Sequence, residues 1–396
     1  MKTAIIIGDG MGDYPEAAAG NRTPLQAARI PNMRKLAAAG TLHMLKTVPD
    51  SLPPGSDVAN LGLLGYDAED NYTGRAPIEA AGAHIPLANN DIAVRCNLVT
   101  INDEVMCDYS AGHITTEEAR QLIEAVDQEL GGDGLKFHPG VSYRHILIWK
   151  NGPASLRTVP PHDIPDLNVA GHLPAGEGEE KMRELMAASR KIFENHPVNL
   201  KRIAEGKNPA TQIWLWGQGE ALQLKKYQEL YGLTGGMITA VDLLRGLGVL
   251  AGLEVVEVEG ATGFVDTNYQ GKVEAALDIL KNHDFVYVHV EAPDECGHLG
   301  DLDLKIHAIE AFDEKVVGPV WQELEARGEP FRLAVTMDHR TPVSLKAHSR
   351  EPVPLSEVIG PVGEVVEEAA FDEFVNGGVA TVTSHELIQR FLSERA

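Results

Sequence analysis

Three short strand-like runs in this chain, Thr3 to Ile7, Phe285 to Val290 and Arg332 to Thr336, each lead within a few residues to an aspartate: Asp9, Asp294 and Asp338. Runs of this length, rich in β-branched and aromatic residues and bounded by turn formers, read as buried strands. Helical patterns lie between them. Strands alternating with helices predict an α/β fold with a mostly parallel sheet and helices on both faces. In such a sheet ligands collect at the carboxyl ends of the strands, which is where these three carboxylates fall. The first strand ends in Gly8-Asp9-Gly10-Met11-Gly12-Asp13, which fails as a dinucleotide fingerprint because Asp13 stands where the third glycine belongs. An acidic residue among glycines suits a metal-binding carboxylate better, since glycines let an ion or ligand approach the backbone.

Histidines accompany two of the three carboxylates. Asp294 and His298 are four residues apart, so one helical turn would bring both to the same side and let them grip one ion. Asp338 and His339 are adjacent, yet an irregular loop can converge both, and His348 follows shortly after. Aspartate and imidazole donors without cysteine suit zinc or manganese, with magnesium a weaker fit. The candidate nucleophile is Ser56, in Pro53-Pro54-Gly55-Ser56-Asp57-Val58-Ala59-Asn60, where the run from Val58 to Leu64 reads as a short helix stopped at Gly65. At or beside an N-cap, the Ser56 hydroxyl would sit among free backbone N–H groups that suit an anion such as phosphate. A serine there also serves as a plain helix cap. Two cations about 3.5–4 Å apart suit in-line displacement at phosphorus, and metal coordination is one way to activate a serine hydroxyl.

From about Ala83 to Val169 the texture changes, with strands expected over Ile92 to Val99 and Val141 to Trp149 and an amphipathic helix over Thr116 to Leu130. This predicts a smaller inserted α+β domain at 83–169 within a core made of 1–82 and 170–396. Ile213 to Trp216 reads as a return to the core's buried strands, and a long helix is expected from about Leu304 to Arg327. A formal net charge of −24 argues against nucleic acid or an anionic membrane as partner. It leaves room for a small anionic substrate, because a few arginines or bound cations reverse the sign locally. Cys96, Cys107 and Cys296 form no zinc-like or CxxC spacing, and the apolar run after Met1-Lys2 is shorter than a signal peptide requires. The expectation is a soluble protein of the reducing cytoplasm.

A wider set of segments, GDGMGD at 8–13, PPGSDVAN at 53–60, YTGR at 72–75, YRH at 143–145, PPHD at 160–163, HPVN at 196–199, IWLWGQG at 213–219, GATG with DTNY at 260–269, EAPDECGH at 291–298 and DHRTP at 338–342, resembles the archaeal-type, cofactor-independent phosphoglycerate mutases of the alkaline phosphatase superfamily. The resemblance spans nearly the whole chain. It implies an alkaline-phosphatase-like core, an inserted substrate-binding lid and two divalent metal ions. Asp294, His298 and His348 would hold one ion, and Asp9, Ser56, Asp338 and His339 the other. Ser56 would take the phosphoryl group of phosphoglycerate as phosphoserine and return it to the neighbouring hydroxyl. Arg75, Arg95, Arg144, His162, Asp163, Arg202 and Lys272 fall in or near motifs associated with substrate binding, and arginine can bind phosphate or carboxylate in a fork. A bacterial subgroup proposed to act as homoserine kinase is an alternative, since Asp108-Tyr109-Ser110-Ala111-Gly112-His113 and Lys46-Thr47-Val48-Pro49-Asp50 resemble it more closely. No GxxxxGK[ST] segment is present to hold a nucleotide. Arg340, within DHRTP, is bulkier than the motif leads one to expect, so it could crowd or tune the site.

Overall fold

The structure, a computed structural model, describes residues 1–374 and 381–393. Strands β1 (Lys2–Gly8) and β2 (Thr41–Lys46) come first. An inserted unit then contributes β3 (Ile92–Asn102), β4 (Val105–Asp108), β5 (Leu135–His138), β6 (Arg144–Trp149) and β7 (Gln212–Glu220). The chain finishes with β8 (Gly235–Ile238), β9 (Glu254–Val256), β10 (Phe285–Val290), β11 (Phe331–Thr336), β12 (Val353–Gly360) and β13 (Thr381–Thr383).

The eight-stranded sheet has the order β13-β2-β12-β11-β1-β10-β8-β9. Only the two pairings made by β12 are antiparallel, so the mostly parallel sheet expected from the alternation of strands and helices is the one observed. β1 lies between β10 and β11, and all three are buried almost throughout, as central parallel strands covered on both faces must be. Their carboxyl ends therefore lie side by side, and Asp9, Asp294 and Asp338 follow directly. β2 and β12 escaped the sequence reading. Thr41 and His43 in β2 and Pro354, Ser356 and Glu357 in β12 interrupt what would otherwise be apolar runs.

The chain divides into two compact units, Met1–Tyr72 with Gln223–Ala396, and Thr73–Leu222. The insert thus extends beyond the 83–169 expected at both ends: the helix Arg75–Gly82 joins it at the start, and at the far end the reason is β7. Its apolar residues suit any buried strand, but they pair antiparallel with β3, from Ile92 opposite Glu220 to Val99 opposite Gln212. The helix Glu179–Glu194 comes with it, since Met182, Leu185, Met186 and Phe193 share one apolar core with Ile213, Trp214 and Leu215.

Two helical stretches are interrupted. The first consists of Pro24–Ala27, opened by a capping box between Thr23 and Gln26, and Pro31–Ala39. Ala28, in extended conformation, ends the first piece, and Pro31 opens the second, with Ile30 before it held out of helical conformation. The long helix after residue 301 is Leu302–Phe312, a π-helical turn at Asp313–Val317, and Gly318–Arg327. Within that turn the Asp313 carboxylate accepts from the backbone N–H groups of Asn32, at 3.1 Å, and Met33, at 2.7 Å. These are donors a helix start leaves without partners. No helix among the described residues is long and apolar enough to cross a membrane.

Candidate metal centre and nucleophile

Asp9 follows β1, with its N–H bonded to the Val290 carbonyl of β10 at 2.9 Å. Gly10 then turns through a φ of +59°, where a Cβ would collide with the Asp294 carboxylate and the Thr341 hydroxyl. Only glycine fits both the conformation and the space. Its N–H donates to Asp338 Oδ1 at 3.0 Å, which ties the ends of β1 and β11 together. Ser56 is the first residue of the helix Ser56–Leu63, with Gly55 as its N-cap. One turn later Asn60 Nδ2 donates both to the Ser56 carbonyl, at 2.8 Å, and to Asp338 Oδ2, at 2.9 Å.

Two donor clusters form at this edge. Asp9, Asp338 and His339 make one, and Asp294, His339 and His348 the other. Ser56 Oγ lies 3.0 Å from His339 Nε2, which is itself 3.6 Å from Asp9 Oδ1 and 3.4 Å from Asp338 Oδ2. The Asp9 Oδ1 atom is buried without a hydrogen-bond partner. In the second cluster His298 Nε2 is 3.3 Å from Asp294 Oδ2 and 2.9 Å from His348 Nε2, and His348 Nε2 is 3.6 Å from Asp294 Oδ1. His298 Nδ1 faces the Lys346 carbonyl at 3.0 Å, so it carries a proton and Nε2 is the ring atom free to donate a lone pair. An orphaned buried carboxylate oxygen and two imidazole nitrogens turned on each other are what a site built for divalent cations presents. His339 stands at the junction of the clusters, and all seven residues expected as ligands converge.

The charges follow this crowding. Burial and the neighbouring carboxylates of Asp338 and Asp294 hold the Asp9 carboxyl well above the usual carboxylate range. Burial pushes Asp294 the same way, but hydrogen bonds with His298 and His348 outweigh it and hold that carboxyl well below the range. Burial disfavours a proton on His298, yet the Asp294 carboxylate raises it to about 9. Burial lowers His339 to about 4, with the His348 imidazole acting in the same direction against the Asp338 carboxylate. Protons thus occupy positions that a cation would take, and the two compete.

The other expected site residues divide. In the inserted unit Arg75, Arg95, His162 and Trp216 form one group. Arg95 and Arg75 sit 4.6 and 5.8 Å from the Trp216 ring, and the His162 ring 5.2 Å from it. Glu79 accepts from Arg75 Nε at 2.8 Å and from Arg95 Nη1 at 2.6 Å. Arg144 begins β6 and stacks on Tyr143 at 5.4 Å, opposite Asn97, two residues along β3 from Arg95. Asp163 lies 3.8 Å from His162 Nε2.

Arg202 and Lys272 are not placed to meet a ligand. Arg202 is 2% exposed and donates to Glu118 Oε2, at 2.7 Å, and to the carbonyls of Asn208, Ala111 and Gly112. Lys272 is fully buried, its ammonium bound to Glu291 Oε2 at 2.7 Å and the His289 carbonyl at 2.9 Å. Both looked available because they stand near family-like motifs. Arg340 turns away from the donor clusters, with Nη2 donating to the Pro352 carbonyl at 2.7 Å, and its stem covers Gly12.

Asn60, Glu291 and Thr341 lie within the motif segments singled out in the sequence but carry no role there, and Glu79 and His289 lie outside them. One signal was there to find, since Tyr287 and His289 alternate with valines along β10 and so present polar atoms on one face of a buried strand.

Carboxylates and imidazoles gathered beside the Ser56 hydroxyl, at the carboxyl edge of a mostly parallel sheet, define an α/β enzyme with a candidate metal centre. The family model for 2,3-bisphosphoglycerate-independent phosphoglycerate mutase matches residues 37–199. A protein of that name from Methanosarcina mazei is 50% identical over 391 residues, 98% of each chain. Among solved structures, a Pyrococcus horikoshii protein is similar with a TM-score of 0.81 and 28% identity, covering 100% of this chain and 98% of the other. A cofactor-independent phosphoglycerate mutase from Thermoplasma acidophilum gives a TM-score of 0.64 and 26% identity, covering 99% of both. The chain belongs to the 2,3-bisphosphoglycerate-independent phosphoglycerate mutase family.

Proposed function

We propose that this protein interconverts 2-phosphoglycerate and 3-phosphoglycerate through a phosphoserine at Ser56. The observation that carries the chemistry is the 3.0 Å approach of Ser56 Oγ to His339 Nε2, at the point where Asp9 and Asp338 converge. Bound divalent cations, held by Asp9, Ser56, Asp338 and His339 and by Asp294, His298 and His348, would favour the ionised serine oxygen and neutralise phosphoryl oxygens. The donor set suits manganese or zinc. The chain's own groups do the positioning. Asn60 holds the first turn of the nucleophile helix against Asp338, and Ser56 Oγ is aimed by His339. A new O–P bond forms at Ser56 Oγ while the bond to the substrate oxygen breaks and that oxygen takes up a proton. The reverse transfer delivers the phosphoryl group to the neighbouring hydroxyl after the glycerate has turned over.

Arg75, Arg95 and Arg144, with His162 and Asp163, are assigned to substrate recognition. Two carboxylate-matched guanidinium groups braced by Glu79 suit an anion that carries both a phosphate and a carboxylate. The three cysteines are unpaired, which fits the cytoplasm, where this interconversion is a step of glycolysis.

The test is incubation of the metal-replete enzyme with 3-phosphoglycerate alone and, separately, with ATP and homoserine, followed by ³¹P NMR. 2-Phosphoglycerate in the first and no phosphohomoserine in the second is expected, and the opposite pattern would replace the mutase by a homoserine kinase. Ser56→Ala should lower turnover by at least about 10³-fold with the fold retained.

A further inference from the structure

Behind Asp9 lies a buried polar chain that the transfer chemistry itself does not use. Asp9 is crowded by like charge from Asp338, Asp294 and Glu291, and its side chain has one imidazole beside it besides His339. That imidazole is His289, on β10, whose Nε2 lies 3.3 Å from Asp9 Oδ2. Its other nitrogen, Nδ1, lies 3.2 Å from Glu291 Oε1. Glu291 is held in turn by the Thr239 hydroxyl at 2.9 Å, the Ala240 N–H at 2.8 Å and the Lys272 ammonium at 2.7 Å. Lys272 also donates to the His289 carbonyl at 2.9 Å, so the chain closes on itself. Asp9, His289, Glu291, Lys272 and Thr239 are each 4% exposed or less.

Both ring nitrogens of His289 face a carboxylate oxygen, but they are not held alike: Nδ1 is hydrogen-bonded with Glu291, whereas Nε2 faces Asp9 Oδ2 at 3.3 Å without a completed hydrogen bond. The chain of contacts has a direction. Lys272 and Thr239 fix Glu291, Glu291 fixes the ring, and the ring sets its Nε2 opposite Oδ2 of Asp9, while Oδ1, on the side of His339, has no hydrogen-bond partner and neither has Nε2.

We propose that His289, fixed by Glu291 and Lys272, is the positioning residue of Asp9, holding Oδ2 so that Oδ1 is presented to the cation shared with Asp338 and His339. This rests on the cation-site reading given above, and the experiment separates the two. The full-length protein is stripped with a chelator and titrated with Mn²⁺ alone, by calorimetry and by electron paramagnetic resonance of the free ion. Wild type should bind two ions. His289→Gln, Glu291→Gln and the remote Lys272→Met should each weaken one of the two by about 10–100-fold, as loss of an outer partner of a metal ligand does. The other site should stay within about twofold, and His289→Gln with Glu291→Gln together should be no weaker than the worse single change, since both act through one chain.

A packing role would instead lower the melting temperature of the metal-free protein without singling out one ion. Unchanged affinity at both sites, equal weakening of both, or metal-free variants that fail to fold would each overturn the positioning role. Wild type binding no Mn²⁺ would overturn the cation-site reading itself.

Discussion

Asn60 Nδ2 has two acceptors that lie far apart in sequence, the Ser56 carbonyl and Asp338 Oδ2, while its Oδ1 accepts from the Tyr287 hydroxyl. Asn60→Leu would leave Asp338 Oδ2 and the Tyr287 hydroxyl without this partner in a buried place, at about 1–3 kcal/mol for each. Urea unfolding should register that loss, and a change below about 0.5 kcal/mol would show that neither group depends on the amide. Glu373 gives a pH dependence instead. Its carboxyl accepts from the Asp13 N–H at 2.9 Å and the Thr23 hydroxyl at 2.7 Å, and burial still pushes it up to about 6. A folded-state value above the unfolded one means the contribution to stability is full below about pH 4.5 and is lost as pH rises through about 6. Relative to Glu373→Gln, wild type should therefore lose about 2 kcal/mol between pH 4.5 and 7. A pH-independent difference between the two proteins would contradict it.

Some elements are plain in the sequence and others are not, for physical reasons. Strands β1, β10 and β11 announce themselves because burial on both faces demands continuous apolar residues, and the three aspartates that follow them are legible with them. Arg202 and Lys272 are paired with Glu118 and Glu291, and a charged residue near a binding motif looks the same in sequence whether it faces solvent or such a partner. β7 was assigned to the wrong unit because apolar residues specify burial without naming the neighbour, and here the neighbour is β3. The π-helical turn at Asp313–Val317 gave no local sign either. Its use is clear from the Pro31–Ala39 helix, whose first N–H groups find Asp313. Asp313→Ala should cost about 1–3 kcal/mol by orphaning those donors, while Asp313→Asn should recover part of it. Equal losses in the two variants, measured by thermal unfolding, would mean the carboxylate is not acting as a cap.

At the scale of the whole molecule, the chain interrupts one sheet to build another. The Thr73–Leu222 unit carries a complete apolar core, from Ile92 and Val94 through Leu122 and Phe137 to Trp214. Produced as a separate fragment it should melt cooperatively, and a broad, non-cooperative transition would mean that its core is incomplete. The larger unit is assembled from segments on either side of that insert, with β1 and β2 on one and β8 to β13 on the other. Asp9 and Ser56 therefore leave the ribosome long before Asp338, His339 and His348 exist to meet them. Until those segments have been made, Asp9 and Ser56 stand without the residues that gather around them, so the edge of the sheet that carries them is completed by the later part of the chain.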